Sequence, residues 1–382
     1  MTIPQRIQDG ITNILQTYRT PFYVYDCENI SRQCRLFDPL SNPSFKIHYA
    51  TVANIHPTFL HLIMEQGIDV AVSSLNHLEK VLGAGYEPPQ VMFTAAGLDD
   101  FAIKKISHSN VFVNLDSIAQ FNKWKHLFPE AKVGVRVNII DQLKQAGFTD
   151  KHEHRHQTYR IGFDKSDLET IKGNRDVIGL HLYAGKETID YDFLFNGYEI
   201  FSEYISYFPS LEYLNFGGGF VLNDSEKKEN DFVQFLQKFK DFMYKISDKH
   251  QKNIQYILEP GRFVAAKSGY FVCKVTDVRQ KNNLFLINVD ATSSQFSNPL
   301  LNPEWASHPI VVIRNGKILS EINLHSTTIS GCSSYTKDIF ANKVELPELQ
   351  INDLLLFGNA GAYCASAYME FLGFSRPQEF FL

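Results

Sequence analysis

The sequence predicts an α/β fold in which a (β/α)8 TIM-type barrel is followed by a C-terminal mainly-β domain. Three observations carry this. Between Phe45 and about Arg262, short apolar runs alternate with amphipathic stretches, the pattern of strands alternating with helices around a parallel sheet. After Phe263 the helical pattern gives way to long β-rich segments. Ahead of the barrel, "TPFYVYD" (Thr20–Asp26) is aromatic and β-branched and reads as a strand free to join that later sheet. An open doubly wound sheet is the alternative that the same alternation allows.

Eight segments supply the barrel strands: "FKIHYAT", "IDVAVSS", "QVMFTAA", "VFVNLD", "KVGVRVN", "VIGLHLYAG", "LEYLNFGGG" and "IQYILEPGR". Helix-like segments such as "HPTFLHLIMEQG", "SLNHLEKVLGAG" and "ENDFVQFLQKFKDFMYKISDKH" lie between them, with apolar residues at helical spacing. "GYFVCKVTDVRQKNNLFLINVD", "PIVVIRNGKI" and "DLLLFGN" read as antiparallel strands of the second domain. The domain expectation is a barrel over 27–265 and a β domain over 1–26 and 266–382.

The chain has 382 residues, 44% of them hydrophobic, and a formal net charge of −5. That balance offers no basic surface for nucleic acid or for an anionic membrane. Phe and Tyr are plentiful and suit a core, an oligomer interface or a pocket that stacks flat ligands. The five cysteines are scattered and form no CxxC, as expected of reduced thiols. With no apolar signal core in "MTIPQRIQDG" and no run of about 18 apolar residues, a soluble cytoplasmic protein is expected.

In such barrels, function sits at the C-terminal ends of the strands. Three places there and beyond carry candidate chemistry. "NFGGGF" places Gly217, Gly218 and Gly219 after an apolar strand, so that backbone N–H groups can approach an anion such as phosphate; a tight turn is the bland alternative. In "LEPGRF", Glu259 ends the last barrel strand and Arg262 follows the Pro-Gly turn, so one ligand can meet a carboxylate and a guanidinium; a salt-bridged turn is the alternative. In "GNAGAY", Tyr363 can present its hydroxyl to a ligand, or simply start a packed helix. His152, His154 and His156 in "KHEHRHQTYR" alternate as strand-borne metal ligands would, but a polar loop is the default reading and no metal is expected. His48 and His56 flank the stretch "YATVAN" near the expected pocket mouth.

Taken in order, "TPFYVYD", "YATVAN", "SSLNHLEKVLGAGY", "VMFTA", "RVN", "YRIGF", "GLHLYAG", "NFGGG", "LEPGR", "GCSSYTKD", "GNAGAY" and "GFSRP" resemble the pyridoxal-phosphate (PLP) enzymes of fold type III. The likeness covers nearly the whole chain. It is to the diaminopimelate, ornithine and arginine decarboxylase group, which shares the alanine racemase-like barrel and β domain, rather than to alanine racemase itself. It implies a homodimer whose active sites are completed by the partner's β domain. It also implies that Gly217, Gly218 and Gly219 take the cofactor phosphate, that Glu259 pairs with the pyridinium nitrogen, and that Arg262 and Tyr363 serve the phosphate.

The catalytic half of the resemblance is altered. Val52 stands where the family has its Schiff-base lysine. Tyr183 replaces the histidine that stacks on the ring, Lys186 the phosphate-binding serine, and His77 a glutamate. Ser334 and Tyr335 replace the cysteine and its acidic neighbour, with Cys332 two positions early, and Asn298 stands at a carboxylate-binding arginine. Valine can neither hold PLP, nor exchange substrate, nor move protons. A single engineered Lys→Val change would not account for so many substitutions together. The expectation is therefore a diverged decarboxylase relative that binds PLP, or another phosphate-bearing ligand, without a covalent bond. It acts on an amino acid or amine by lysine-independent chemistry. The alternatives are an inactive relative that binds a phosphorylated or carboxylated ligand or regulates a true decarboxylase by dimerisation, and an enzyme with another cofactor or a metal in the same barrel. Lys186 is a candidate for added charge at the anion site or for a Schiff base from a new direction.

Overall fold

The computed structural model describes residues 2–40, 42–148, 160–183, 191–220, 222, 225–303, 307–319 and 322–382. The chain divides into two compact units, Ser31–Val264 and Met1–Ile30 with Ala265–Leu382. The first strand, β1 (Phe22–Tyr25), belongs to the second of these.

In the unit Ser31–Val264, eight parallel strands close a barrel. They are β2 (Phe45–Ala50), β3 (Asp69–Val72), β4 (Val91–Thr94), β5 (Phe112–Leu115), β6 (Val133–Val137), β7 (Val177–Leu182), β8 (Tyr213–Asn215) and β9 (Gln255–Leu258), and β9 pairs back onto β2. All eight fall inside the segments the sequence marks. Parallel strands buried on both faces need continuous apolar runs rather than alternation, which is why they were legible. Closure excludes the doubly wound alternative.

The loops leaving the strand ends are short and end on capping side chains. Ser74, Asp99, Ser117 and Ser225 each accept a hydrogen bond from a backbone N–H in the first turn of the helices Leu75–Gly83, Asp100–Ser107, Ile118–Leu127 and Glu226–His250. Such caps satisfy orphan N–H groups and fix where each loop turns.

The abundant phenylalanines go largely to the barrel's outer layer. In the helix Glu226–His250, Phe232, Phe235, Phe239 and Phe242 recur at helical spacing. Phe239 lies 5.2 Å from Phe216 and 5.8 Å from Tyr198 between ring centroids, and Phe232 lies 4.1 Å from Phe263.

The barrel floor is built around Tyr213, packed with Met92, Phe112, Ile178 and Ile257. A Cβ on Gly134 would lie 2.1 Å from the Tyr213 hydroxyl, and one on Gly179 would lie 1.9 Å from its ring. These two positions must be glycine for the tyrosine to fit between the strands.

The second unit is a mixed sheet. Its further strands are β10 (Gly269–Lys281), β11 (Leu284–Val289), β12 (Ile310–Arg314), β13 (Lys317–Ile318), β14 (His325–Ser330), β15 (Ile339–Leu346), β16 (Leu354–Phe357) and β17 (Gln378–Phe381). Along the sheet the order is β13-β12-β16-β10-β11-β14-β15, and β1 pairs with β10 and β17. The strands read from sequence are antiparallel where they pair with each other, but β11–β14 and β1–β17 are parallel. β14 reads "HSTTIS" and β15 "IFANKVEL". Neither has a continuous apolar run; β14 gains its place by pairing with β11, and β15 by pairing with β14.

β1 is buried at all four positions. Tyr23 and Tyr25 pack on one face, and Phe22 and Val24 on the other beneath Ile7 and Ile11 of the helix Gln5–Ile14. No helix among the described residues is long and apolar enough to cross a membrane. All five cysteines are free thiols.

Candidate functional site

The C-terminal ends of the barrel strands carry a run of polar side chains that interact with one another. Arg136 on β6 donates from Nη1 to Asp116, just past β5, at 2.8 Å, and from Nε to His181 Nδ1 on β7 at 3.4 Å. His181 Nε2 lies 3.4 Å from Glu259 Oε2 just beyond β9. Asn215, which ends β8, donates to Glu259 Oε1 at 2.6 Å. Because Nδ1 of His181 accepts from arginine, its proton sits on Nε2 and faces the carboxylate.

Two further contacts join strands that are not neighbours and so cross the barrel interior. Tyr213 donates to Asn114 Oδ1 at 2.7 Å, and Asn215 Nδ2 approaches Met92 Sδ at 3.0 Å. Polar groups this deep survive only when satisfied.

Glu259 is the electrostatic focus. Burial pushes its carboxyl upward, but the electrostatic pull and hydrogen bond of the His181 N–H, the Asn215 amide and nearby His48 outweigh it and pull it down to about 2. The group is ionised at neutral pH. A carboxylate has about four lone-pair sites, and Asn215 and His181 occupy two of them. Capacity remains for a ligand donor such as a pyridinium N–H. His48, expected near the pocket mouth, is instead buried within β2, with Nε2 3.8 Å from Asp69. Burial lowers its pKa. His56 caps the helix Pro57–Glu65, its Nδ1 accepting from Thr58 N at 3.2 Å.

The glycine loop packs against the same strand end. Gly217 donates to Asn215 Oδ1 at 2.9 Å, and its carbonyl accepts from Glu259 N at 2.8 Å. A Cβ on Gly217 (φ +68°) would lie 2.3 Å from Leu182 O, and one on Gly218 would lie 2.1 Å from Glu259 O. The glycines therefore have a packing reason to be there whatever binds. Among the described residues no hydrogen bond uses the N–H of Gly218 or Gly219, and both residues are partly exposed. Two free N–H groups beside an ionised carboxylate fit a ligand with a phosphate at one end and a ring nitrogen at the other. Arg262 follows the Pro260–Gly261 turn, half-buried.

The β2–β3 side of the rim is different. Val52 is 47% exposed just past β2. Thr51 before it is fully buried, and its Oγ1 lies 3.0 Å from both Ala71 O and His77 Nδ1. His77 sits in the first turn of the helix Leu75–Gly83. Tyr183 lies just past β7 and is 37% exposed, its phenol pushed up by burial. Lys186 and the trio His152, His154 and His156 lie outside the described residues.

The remaining candidates belong to the β unit. Ser334 is exposed, and Tyr335 packs edge-on to Phe371 at 5.3 Å. Cys332 is exposed, and its thiol is raised by partial burial and by Asp338. That aspartate shapes the loop by accepting from Ser293 N at 2.6 Å and Ser333 N at 3.1 Å. Asn298 is buried and donates to His308 Nε2 at 2.8 Å. Tyr363 has a left-handed backbone, φ +57°.

Sequence reasoning passed over Thr51, Asn114, Asp116, Arg136, His181 and Asn215. Most were detectable as polar residues at alternate positions within otherwise apolar strands, as in "VNLD" and "VRVN".

A closed parallel barrel with an anion-ready loop and a partly buried, ionised carboxylate on adjoining strand ends defines an α/β-barrel protein with its ligand site at the C-terminal face. The chain belongs to the fold type III pyridoxal-dependent decarboxylase family: the family's pyridoxal binding domain matches residues 27–266. It is 26% identical to a diaminopimelate decarboxylase of Buchnera aphidicola subsp. Schizaphis graminum, over 94% of this chain and 88% of that protein. To L-glutamyl-[BtrI acyl-carrier protein] decarboxylase of Niallia circulans it is 23% identical, over 97% and 91%. Among solved structures, diaminopimelate decarboxylase from Helicobacter pylori complexed with L-lysine superposes with a TM-score of 0.81 at 21% identity, covering 97% of this chain and 94% of that one. Arginine decarboxylase of Paramecium bursaria Chlorella virus bound to agmatine gives 0.82 at 18% identity, covering 98% and 100%. Within this family, the position after Thr51 is where the resemblance expects lysine, and this chain has valine.

Proposed function

We propose that this protein binds PLP at the barrel rim without a covalent bond and acts on an amino acid or amine-derived substrate by lysine-independent chemistry. The observation that carries the reading is Glu259. It is a partly buried carboxylate held ionised by His181 and Asn215, directly packed on a glycine loop with two N–H groups that no described residue uses.

In this reading Glu259 accepts a proton-bearing ring nitrogen. The Gly218 and Gly219 N–H groups take the phosphate, and Arg262 adds positive charge beside it. PLP supplies an electron sink for charge developing next to the substrate nitrogen. Arg136 and Asp116 hold His181 in the tautomer that donates to Glu259, so the carboxylate stays oriented and charged. Val52 offers no amine, so phosphate, ring nitrogen and shape alone retain the ligand, and any proton transfer falls to other groups. By the same resemblance we propose a homodimer in which Ser334, Tyr335 and Tyr363 face a neighbouring active site. The free cysteines support a reducing, cytoplasmic setting.

Titrating the purified chain with PLP, following visible absorbance and protein fluorescence, tests the reading. Saturable binding that borohydride does not convert to a protein adduct is expected; no saturable binding overturns it. A panel of amino acids and amines with the PLP-loaded chain, read by mass spectrometry, then separates turnover from the second reading, an inactive relative. The second reading is favoured by the β-unit loop, where an exposed serine and a packed tyrosine occupy the cysteine and acid positions.

A further inference from the structure

The β2–β3 side of the rim contains a hydrogen-bond chain whose directions are determined. Ala71 O can only accept, and it lies 3.1 Å from Thr51 N and 3.0 Å from Thr51 Oγ1. The Thr51 hydroxyl proton is therefore committed to that carbonyl, since turning it away would set two oxygen lone pairs against each other. The hydroxyl oxygen is left as an acceptor, and the group 3.0 Å from it is His77 Nδ1. Nδ1 must then carry the imidazole proton, and Nε2 must present a bare lone pair.

The backbone that carries the ring is fixed as well, because the His77 backbone N–H donates to the capping Ser74 Oγ at 3.2 Å. Among the described residues no group donates to Nε2. The ring is partly buried, and that burial, with Lys80 nearby, lowers its pKa, so the lone pair is available at neutral pH. Thr51, the residue that fixes this acceptor, immediately precedes Val52. The rim thus has an apolar side chain where an amine would stand, and a fixed acceptor held by the adjoining residue.

An acceptor in this place discriminates between ligands. An aldehyde oxygen brings only lone pairs and would face another lone pair. An amine brings N–H donors and satisfies it. A site built around one hydrogen-bond polarity rejects the analogue of the wrong polarity, because its own group is left unpaired.

We propose that His77 Nε2 accepts a hydrogen bond from the 4′-nitrogen of an amine-bearing phosphopyridoxyl ligand, so that the pocket selects the pyridoxamine form over the aldehyde. This rests on the reading of the rim as a phosphopyridoxyl site and deepens it by naming the form of ligand held.

Dissociation constants of the full-length protein for pyridoxamine 5′-phosphate, PLP and pyridoxine 5′-phosphate, measured by fluorescence titration, test it. Pyridoxamine phosphate is expected to bind roughly tenfold tighter than PLP. His77→Phe should abolish that preference by weakening pyridoxamine phosphate, and pyridoxine phosphate with it because its 4′-hydroxyl also donates, without weakening PLP. Thr51→Val, which removes the oxygen that takes the Nδ1 proton, should weaken it. Nitrogen-15 NMR of the wild-type protein should show His77 as the Nδ1–H tautomer. Equal affinities for amine and aldehyde, a preference that survives His77→Phe, or the Nε2–H tautomer overturns the proposal while leaving the phosphopyridoxyl reading intact. Failure of all three compounds to bind overturns both.

Discussion

Two sides of one barrel rim differ in what they hold. On the β6–β9 side, Arg136, His181, Asn215 and Glu259 are joined by hydrogen bonds, and the glycine loop is pressed so close that no Cβ fits at Gly217 or Gly218. On the β2–β3 side, an exposed valine stands beside a single threonine–histidine pair. The first side resists substitution for structural reasons: its charges stabilise each other and its backbone is overpacked against β9. The second is open, and a side chain there changes without disturbing a network. On the proposed reading, holding a ligand and doing covalent chemistry on it fall to different sides of the rim.

The strongest way to break that contrast is to rebuild the missing group. Val52→Lys should take the protein from no borohydride-reducible PLP adduct to a stoichiometric one, read by intact mass. If the β6–β9 side positions PLP, the introduced amine will find it; an unmodified variant would show that side to be non-functional.

Next in size is Gly218→Ala. The added carbon would meet the Glu259 carbonyl at 2.1 Å, and overpacking against backbone costs about 3 kcal/mol. The loss should appear in urea denaturation with no ligand present, separating the structural role of the loop from its binding role.

Glu259→Gln sharpens the comparison through pH. The folded carboxyl sits at about 2 against an ordinary 4.5. A depressed carboxyl contributes stability that is complete above its unfolded value and is lost as pH falls toward the folded one. Wild-type stability should therefore decline through that window, and the glutamine variant should decline less. The same variant should weaken PLP binding by about 2 kcal/mol through loss of a charge-assisted hydrogen bond. Smallest is Tyr213→Phe, which leaves Asn114 Oδ1 without its 2.7 Å donor; a loss of about 1 kcal/mol is expected in thermal or urea unfolding, with PLP affinity unaltered.

Much of the fold was legible because hydrophobic periodicity is local. "VIGLHLYAG" and "IQYILEPGR" declare buried parallel strands within a few residues. β14 was not legible, since "HSTTIS" lacks an apolar run and gains its place from a neighbour. Within the candidate site, Gly217–Gly219 and Glu259 stood out because their residue types are unusual at strand ends, and Val52 because the family resemblance expects lysine there. His181 did not, although it lies two residues before Tyr183, because a histidine in an apolar strand has no meaning until its partners are known.

The sequence alone therefore determined that this is an eight-stranded barrel with a β-rich companion, where the rim of that barrel lies, and that no lysine follows Thr51. Those are properties of composition and spacing along the chain. Only the tertiary structure decided that Tyr213 reaches Asn114 across the interior, that His181 turns its proton toward Glu259, and that Thr51 leaves His77 with an unshared lone pair. Each depends on groups far apart in sequence meeting within hydrogen-bond distance, and the direction of a hydrogen bond is settled only when all the donors and acceptors around it are known.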